Sequence, residues 1–172
     1  MSFADGSHTV EMPSIQDHKR AYEGDTGPNT GGMGTYSDAD HLLPFLVEKD
    51  VEDAREITSR VLVALKEETG VEFKGIMYGG FIVTSRGVKL IEYNARFGDP
   101  EAMNALPLLT SDFVAICEAQ ISGKLDEVEV EFEKKATVCK YVVPEGYPDN
   151  PCKGDKIEVG EVPEGVKAYY AS

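Results

Sequence analysis

Tryptophan is absent from this 172-residue chain and cysteine is scarce, with only Cys117, Cys139 and Cys152, odd in number and far apart. With no Cys-x-x-Cys pair and no Cys/His cluster, neither a disulfide framework nor a zinc site is supported. Such cysteine use suits a reducing compartment, and the cytoplasm is the expected location. Positive charge is also short: 17 Lys plus Arg stand against 31 Asp plus Glu, a formal net charge of −14. A surface of that sign repels phosphate backbones and anionic lipid, so no nucleic-acid or membrane partner is expected. Small phosphorylated ligands stay open, because local backbone N–H groups or a bound cation can hold them. No apolar run approaches the ~20 residues of a membrane span. What is there, 41% hydrophobic and 28% charged residues, fits a packed core.

Asp5-Gly6 is a favoured two-residue turn, and residues 7–12 after it read as a strand, with only 1–4 left to form its partner. A frayed terminus would look the same. Residues 135–172 are few for a closed domain, so the chain is expected to be cut at both ends. Residues 16–36 carry Gly24, Gly27, Gly31, Gly32, Gly34 and Pro28 without a helical or strand period, which predicts an irregular, functional loop.

Residues 51–68 read as a helix with Ile57, Val61 and Leu65 on its apolar side and Gly70 past its end. A hairpin follows, 76–84 and 88–96 around Ser85-Arg86-Gly87. Pro100 suits a first helical position. Ser111-Asp112 caps a helix to about Ile121 that Gly123 ends, with Phe113, Val114, Cys117 and Ile121 as its buried face. Glu127, Glu129, Glu131 and Glu133 alternate with Val128, Val130 and Phe132, as in an edge strand or a surface connector, and a domain boundary is placed after residue 126. Residues 136–143 and 156–159 read as further strands.

The sharpest chemical feature is Ile91-Glu92-Tyr93-Asn94-Ala95-Arg96-Phe97. On a strand, Glu92, Asn94 and Arg96 share one face, aligning a carboxylate, an amide oxygen and a guanidinium. Oxygen donors suit a hard cation, and a guanidinium beside them can grip a phosphoryl group. A strand with a polar, solvated outer face would show the same alternation. Gly79-Gly80 on the partner strand, and the anion-binding start of a helix after Gly98-Asp99-Pro100-Glu101, favour a ligand site. The loop Gly24-Asp25-Thr26-Gly27-Pro28-Asn29-Thr30-Gly31-Gly32-Met33-Gly34 is neither a Walker loop nor a dinucleotide fingerprint. Its glycines could present N–H groups to an anion or simply sit in solvent, and Lys19-Arg20 before it reads equally as surface charge.

Together, Gln16-Asp17-His18-Lys19-Arg20, the 24–34 loop and Glu92-Tyr93-Asn94-Ala95-Arg96-Phe97-Gly98-Asp99-Pro100-Glu101 strongly resemble the glycinamide ribonucleotide synthetases, an ATP-grasp family of purine biosynthesis. The resemblance covers essentially the whole chain but only the later part of the family's catalytic body. It implies an α+β fold. Residues 1–126 would be the C-terminal subdomain of the ATP-grasp body, an antiparallel sheet with flanking helices. Residues 127–172 would be a connector and the first strands of a small β-rich C-terminal domain.

The reaction so implied joins glycine to 5-phosphoribosylamine, with ATP as co-substrate cleaved to ADP and phosphate through a glycyl phosphate. By the same resemblance Glu92 and Asn94 match the ligands of Mg²⁺ or Mn²⁺ that bridge the ATP phosphates, and Arg96 the arginine that steadies the transferring phosphoryl group. Asp17, Lys19, Gly31, Gly32, Met33 and Gly34 fall where the family holds glycine and the phosphoribosyl substrate, with Asp17 and Arg96 as catalytic residues. Asp99-Pro100-Glu101 is expected to shape the same pocket. The implied partners are small molecules, and monomer and homodimer both remain open. Lacking most of the family's adenine and triphosphate contacts, the isolated chain is expected to be inactive. Two alternatives stand beside this: another ATP-grasp carboxylate–amine ligase, which would share the 92–96 strand but not the loop, and a non-catalytic module binding metal–nucleotide or sugar phosphate.

Overall fold

Residues 1–170 are described by a computed structural model. In chain order the elements are β1 (Ser2–Ala4), β2 (Thr9–Glu11), β3 (Gln16–Tyr22), β4 (Thr26–Ser37), α1 (Glu48–Thr69), β5 (Gly75–Thr84), β6 (Gly87–Asn94), α2 (Glu101–Ala105), α3 (Phe113–Ser122) and β7 (Thr137–Lys140). The strands form two antiparallel sheets, ordered β2-β1-β5-β6 and β3-β4-β7, so the fold is α+β as expected. Two compact units divide the chain, Met1–Tyr141 and Val142–Ser172.

In the first unit, the side chains of the four-stranded sheet alternate between two helical layers. Ala4 and Met77 point to α1 and pack on Leu62, whereas Phe3 points the other way onto Ile116 of α3 and Leu125. Phe3, Ile116 and Leu125 are 0%, 0% and 1% exposed, and full burial of side chains of this size contributes about 1.5–3 kcal/mol each. Helix α1 starts after Val47, where the Asp50 carboxylate accepts the Val47 N–H at 3.0 Å, and stops at Gly70, whose φ of 72° is the left-handed C-cap. Its buried positions are Thr58 and Leu62, whereas Leu65, expected inside, is 36% exposed.

Helix α3 has the expected ends: Asp112 accepts from the N–H groups of Val114 and Ala115, and Gly123 closes it at φ 72°. Its buried face is not the expected one. Ile116, Ala119 and Gln120 are inside, while Val114 and Ile121 are 64% and 74% exposed and Cys117 is half-buried. The cap sets the helix phase, and the Gln120 amide replaces an apolar contact by donating to the carbonyls of Gly75 at 2.7 Å and Ala4 at 3.2 Å.

Three other expectations are corrected. Residues 16–36 are a hairpin, β3–β4, not an irregular loop, and its pairing is broken where Asn29 and Gly34 face Arg20 and His18, so four residues of β4 bulge opposite Lys19. Ala4 pairs with Thr9, so the first connection spans residues 5–8 and Asp5 is a buried anchor, not the tip of a two-residue turn. Pro100 is the N-cap of α2, not its first helical residue. Between α3 and β7 the chain is a connector beside residues 108–111, joined by Glu133 N–H to the Leu108 carbonyl at 2.7 Å and Thr110 N–H to that of Glu131 at 3.0 Å. The second unit is built of turns, such as Asn150 N–H to the Gly146 carbonyl at 2.8 Å, and the strand expected at 156–159 does not form.

Candidate functional site

Period-2 alternation in the β5–β6 hairpin builds the floor of a cavity of about 620 Å³, whose lining includes Asp17, Lys19, Tyr78, Gly80, Glu92 and Glu101. Glu92 stands opposite Gly80 and Asn94 opposite Tyr78, so these four positions share the sheet face turned away from α1. A bulge between Gly80 and Phe81 leaves Ile91 without a partner and 66% exposed. Gly79 is no open approach, because the rings of Phe81 and Tyr93 fill its side, crossing edge-to-face with centroids 6.0 Å apart. Gly80 does leave room: a Cβ there would meet nothing nearer than Glu92 Cγ at 3.7 Å.

Arg96 lies beyond the end of β6 and folds back, donating to Asn94 Oδ1 at 3.2 Å and to the Phe97 carbonyl at 2.7 Å. Asn94 and Arg96 are thus brought together. Glu92 is exposed and shares the face of Asn94 without a bond to either residue. A carboxylate and an amide oxygen two residues apart, over an open glycine, form a donor set that suits a hard divalent cation.

The rest of the lining includes Gln16, Asp17, Lys19 and Arg20 of β3, the α1 residues Asp50, Val51, Ala54, Arg55 and Thr58, and Glu101 of α2. Gly31, Gly32, Met33 and Gly34 of the β4 bulge and its end are not part of it, and Gly32 lies behind Asp17. Gly32 sits in the bulge at φ 150°, and a Cβ there would lie 2.8 Å from Pro100 Cδ and 3.1 Å from Asp17 Oδ1, so only glycine fits. The bulge thereby packs Gly32 against Asp99-Pro100 and Asp17, while Gly34 lies against Cys139 and Lys140 of β7; Gly32, Met33 and Gly34 are buried and Gly31 is exposed. Tyr141 ties the same corner, its N–H donating to the Met33 carbonyl at 3.2 Å and its hydroxyl to Asp99.

At the centre are two carboxyl groups, Asp17 on β3 and Glu101 at the start of α2. Glu101 is 2% exposed and accepts from the Tyr78 hydroxyl. One oxygen of each, Asp17 Oδ1 and Glu101 Oε2, is buried without a hydrogen-bond partner. Lys19 Nζ is 3.8 Å from the other oxygen of Asp17, and the Met1 ammonium interacts with the charge of Glu101. Burial, then the charge of Glu101, push the Asp17 pKa above its ordinary value. Burial and the bond to Glu101 likewise hold the Tyr78 hydroxyl protonated well beyond its usual range. The two unpartnered oxygens are acceptors that a ligand amine would fill.

Residues 1–102 match the family described as "Phosphoribosylglycinamide synthetase, ATP-grasp (A) domain". The chain belongs to that family. It is 55% identical over its whole length to the phosphoribosylamine–glycine ligase of Methanocella arvoryzae, covering 40% of that protein. It is 56% identical to that of Methanocaldococcus jannaschii over 99% of this chain and 39% of the relative. A crystal structure of the phosphoribosylamine–glycine ligase of Thermotoga maritima superposes with a TM-score of 0.77 at 30% identity, over 94% of this chain and 39% of that one. The chain thus spans about 40% of the length of the curated relatives it matches. Among the described residues no helix is long and apolar enough to cross a membrane.

Sequence reasoning missed Tyr78, whose signal is its position two residues before Gly80 on the cavity side of β5. It placed Glu101 at a helix start that shapes the pocket but not as a partner of Asp17, because Tyr78 and Asp17, the residues that make it notable, are distant in sequence.

Proposed function

We propose that this chain supplies the acceptor side of an ATP-dependent ligase that joins glycine to 5-phosphoribosylamine, a step of purine biosynthesis in the cytoplasm. The carrying observation is the Asp17–Glu101 pair, a half-buried and a buried carboxyl group each with an unpartnered oxygen, lining one cavity with Glu92. In this reaction a glycine carboxylate oxygen attacks the γ-phosphorus of ATP and ADP leaves. The amine of phosphoribosylamine then attacks the acyl carbon, phosphate departs, and the amine loses a proton. Asp17 and Glu101 attract and orient the amino group, and Asp17, its affinity for a proton raised by burial and by Glu101, is placed to take that proton.

Arg96 steadies the phosphoryl oxygens, and Lys19 contributes positive charge at the cavity wall. Gly31, Gly32, Met33 and Gly34 serve the substrate by seating Asp17 from outside the cavity, and Asp99 and Pro100 pack against Gly32 there. Glu92 and Asn94 would hold a Mg²⁺ or Mn²⁺ ion, which when bound neutralises phosphate charge. Residues 1–126 are then the later part of the ATP-grasp body, and 127–172 a connector and the start of the domain that follows it.

The test is ADP release from Mg·ATP with glycine and phosphoribosylamine both present or singly omitted, for this chain and for the product of its complete reading frame. ADP release by the complete product only, and only with both substrates, is expected. If neither protein shows dependence on both, the ligase reading fails and a binding module remains.

A further inference from the structure

The polar interior around Asp17 and Glu101 continues into a second pair. On the β3–β4 hairpin Asp17 stands directly opposite Thr35, so their side chains share a sheet face. On α2, Glu101 and Asn104 are three residues apart and share a helix face. Thr35 Oγ1 donates to Asn104 Oδ1, and Asn104 Nδ2 donates to Thr137 Oγ1 of β7 at 3.0 Å. Thr137 Oγ1 lies 2.7 Å from Ser37 Oγ, back on β4. Asn104 is 0% exposed, and Thr35 and Ser37 are each 2% exposed. One end of α2 is thus hydrogen-bonded to two strands. The other end carries Glu101, whose charge acts on Asp17, and an oxygen of each is left unpartnered.

We infer that Asn104, with Thr35, is a positioning residue whose side-chain amide locks α2 to β4 and β7 and thereby fixes the Glu101 carboxyl group against Asp17; the inference rests on the substrate reading above. Two facing carboxyl groups withdrawn from water repel each other when ionised. A helix of 5 residues has too little internal bonding to resist that on its own. The amide resists it with a donor and an acceptor aimed at different strands, which an apolar side chain of the same size could not do. Because Thr35–Asn104 and Asp17–Glu101 are neighbouring rungs between the β3–β4 hairpin and α2, loosening the first lets the second open.

The test uses the product of the complete reading frame with Thr35→Val, Thr35→Ser, Asn104→Leu and, as reference, Asp17→Asn. Loss of the lock is expected to raise the KM for the amine substrates roughly tenfold to a hundredfold, the usual cost of misplaced positioning groups. The KM for Mg·ATP should stay within about threefold, and Thr35→Ser, which restores the hydroxyl, should return the amine-substrate KM values to near the parent's. Thr35→Val is nearly isosteric and decides the matter if Asn104→Leu fails to fold. Unchanged KM values in folded Thr35→Val overturn the lock, as does a rise of the ATP and amine-substrate KM values in step. If Asp17→Asn moves the amine-substrate KM values and Thr35→Val does not, the lock alone is overturned. If neither moves them, the substrate reading falls as well.

Discussion

Asp5 and Asp17 are both aspartates withdrawn from water in the same unit, and the fold treats them in opposite ways. Asp5, 1% exposed, accepts from the N–H groups of Ser7 at 2.9 Å, His8 at 2.7 Å and Leu125 at 3.0 Å, and its Oδ2 lies 3.0 Å from His8 Nδ1. Burial works against its charge, but these donors outweigh burial and hold its pKa below the ordinary value. Asp17 has one buried oxygen with no partner, a lysine 3.8 Å away from the other, and Glu101 for company. Burial and that neighbouring charge raise its pKa. Asp5 is fully used in holding the first hairpin to the start of the 125–127 turn. Asp17 is left unsatisfied by the fold, as groups reserved for a ligand are.

The largest expected effect belongs to Asp17→Asn in the product of the complete reading frame. Glycine-dependent ADP release should fall about a hundredfold or more, in the range usual for a lost acid–base group. The urea midpoint should hold or rise, because Asp17 is raised. Its contribution is present below the ordinary aspartate pKa and is lost as pH rises through the folded value, so at neutral pH its charge costs stability. A fall in midpoint together with activity would place Asp17 among the structural aspartates.

Asp5→Asn should do the reverse. It sets an amide donor against N–H donors and should lower stability by about 1–3 kcal/mol, while folded protein keeps its turnover per molecule. Stability from Asp5 is present above the ordinary aspartate pKa and lost as pH falls through the lowered folded value, so Asp5→Asn should flatten the acid limb of a urea-midpoint titration.

The smallest effect is expected from His8→Gln. The bond to Asp5 raises the His8 pKa, so its contribution is full below the ordinary histidine value and fades as pH rises through the raised one. Parent and variant midpoints should separate on the acid side and converge on the alkaline side. Parallel curves would mean that His8 adds nothing to the Asp5 anchor.

The same contrast explains what could be read from the residues alone. Local signals were legible: the Asp112 cap, the Gly70 and Gly123 stops, the β5–β6 hairpin, and the Glu92–Asn94 alternation. The β3–β4 hairpin was not, because four residues of β4 bulge opposite Lys19 and destroy the period that marks a strand. Nor was the buried face of α3, where a glutamine takes an inward position that apolarity alone assigns to Ile121. The Asp17–Glu101 pair and its Thr35–Asn104 lock depend on contacts between residues as many as 84 positions apart, as 101 − 17 gives, and no local pattern encodes them.

The separation of the two aspartates is most directly tested by a carboxyl-carbon NMR titration of this chain, following Asp5 and Asp17 individually. Asp17 should titrate above the ordinary aspartate value of about 3.9 and Asp5 below it. Coincident midpoints near that value, or the reverse order, would show that Asp17 is as well satisfied as Asp5 and would remove the basis for placing a substrate amine there.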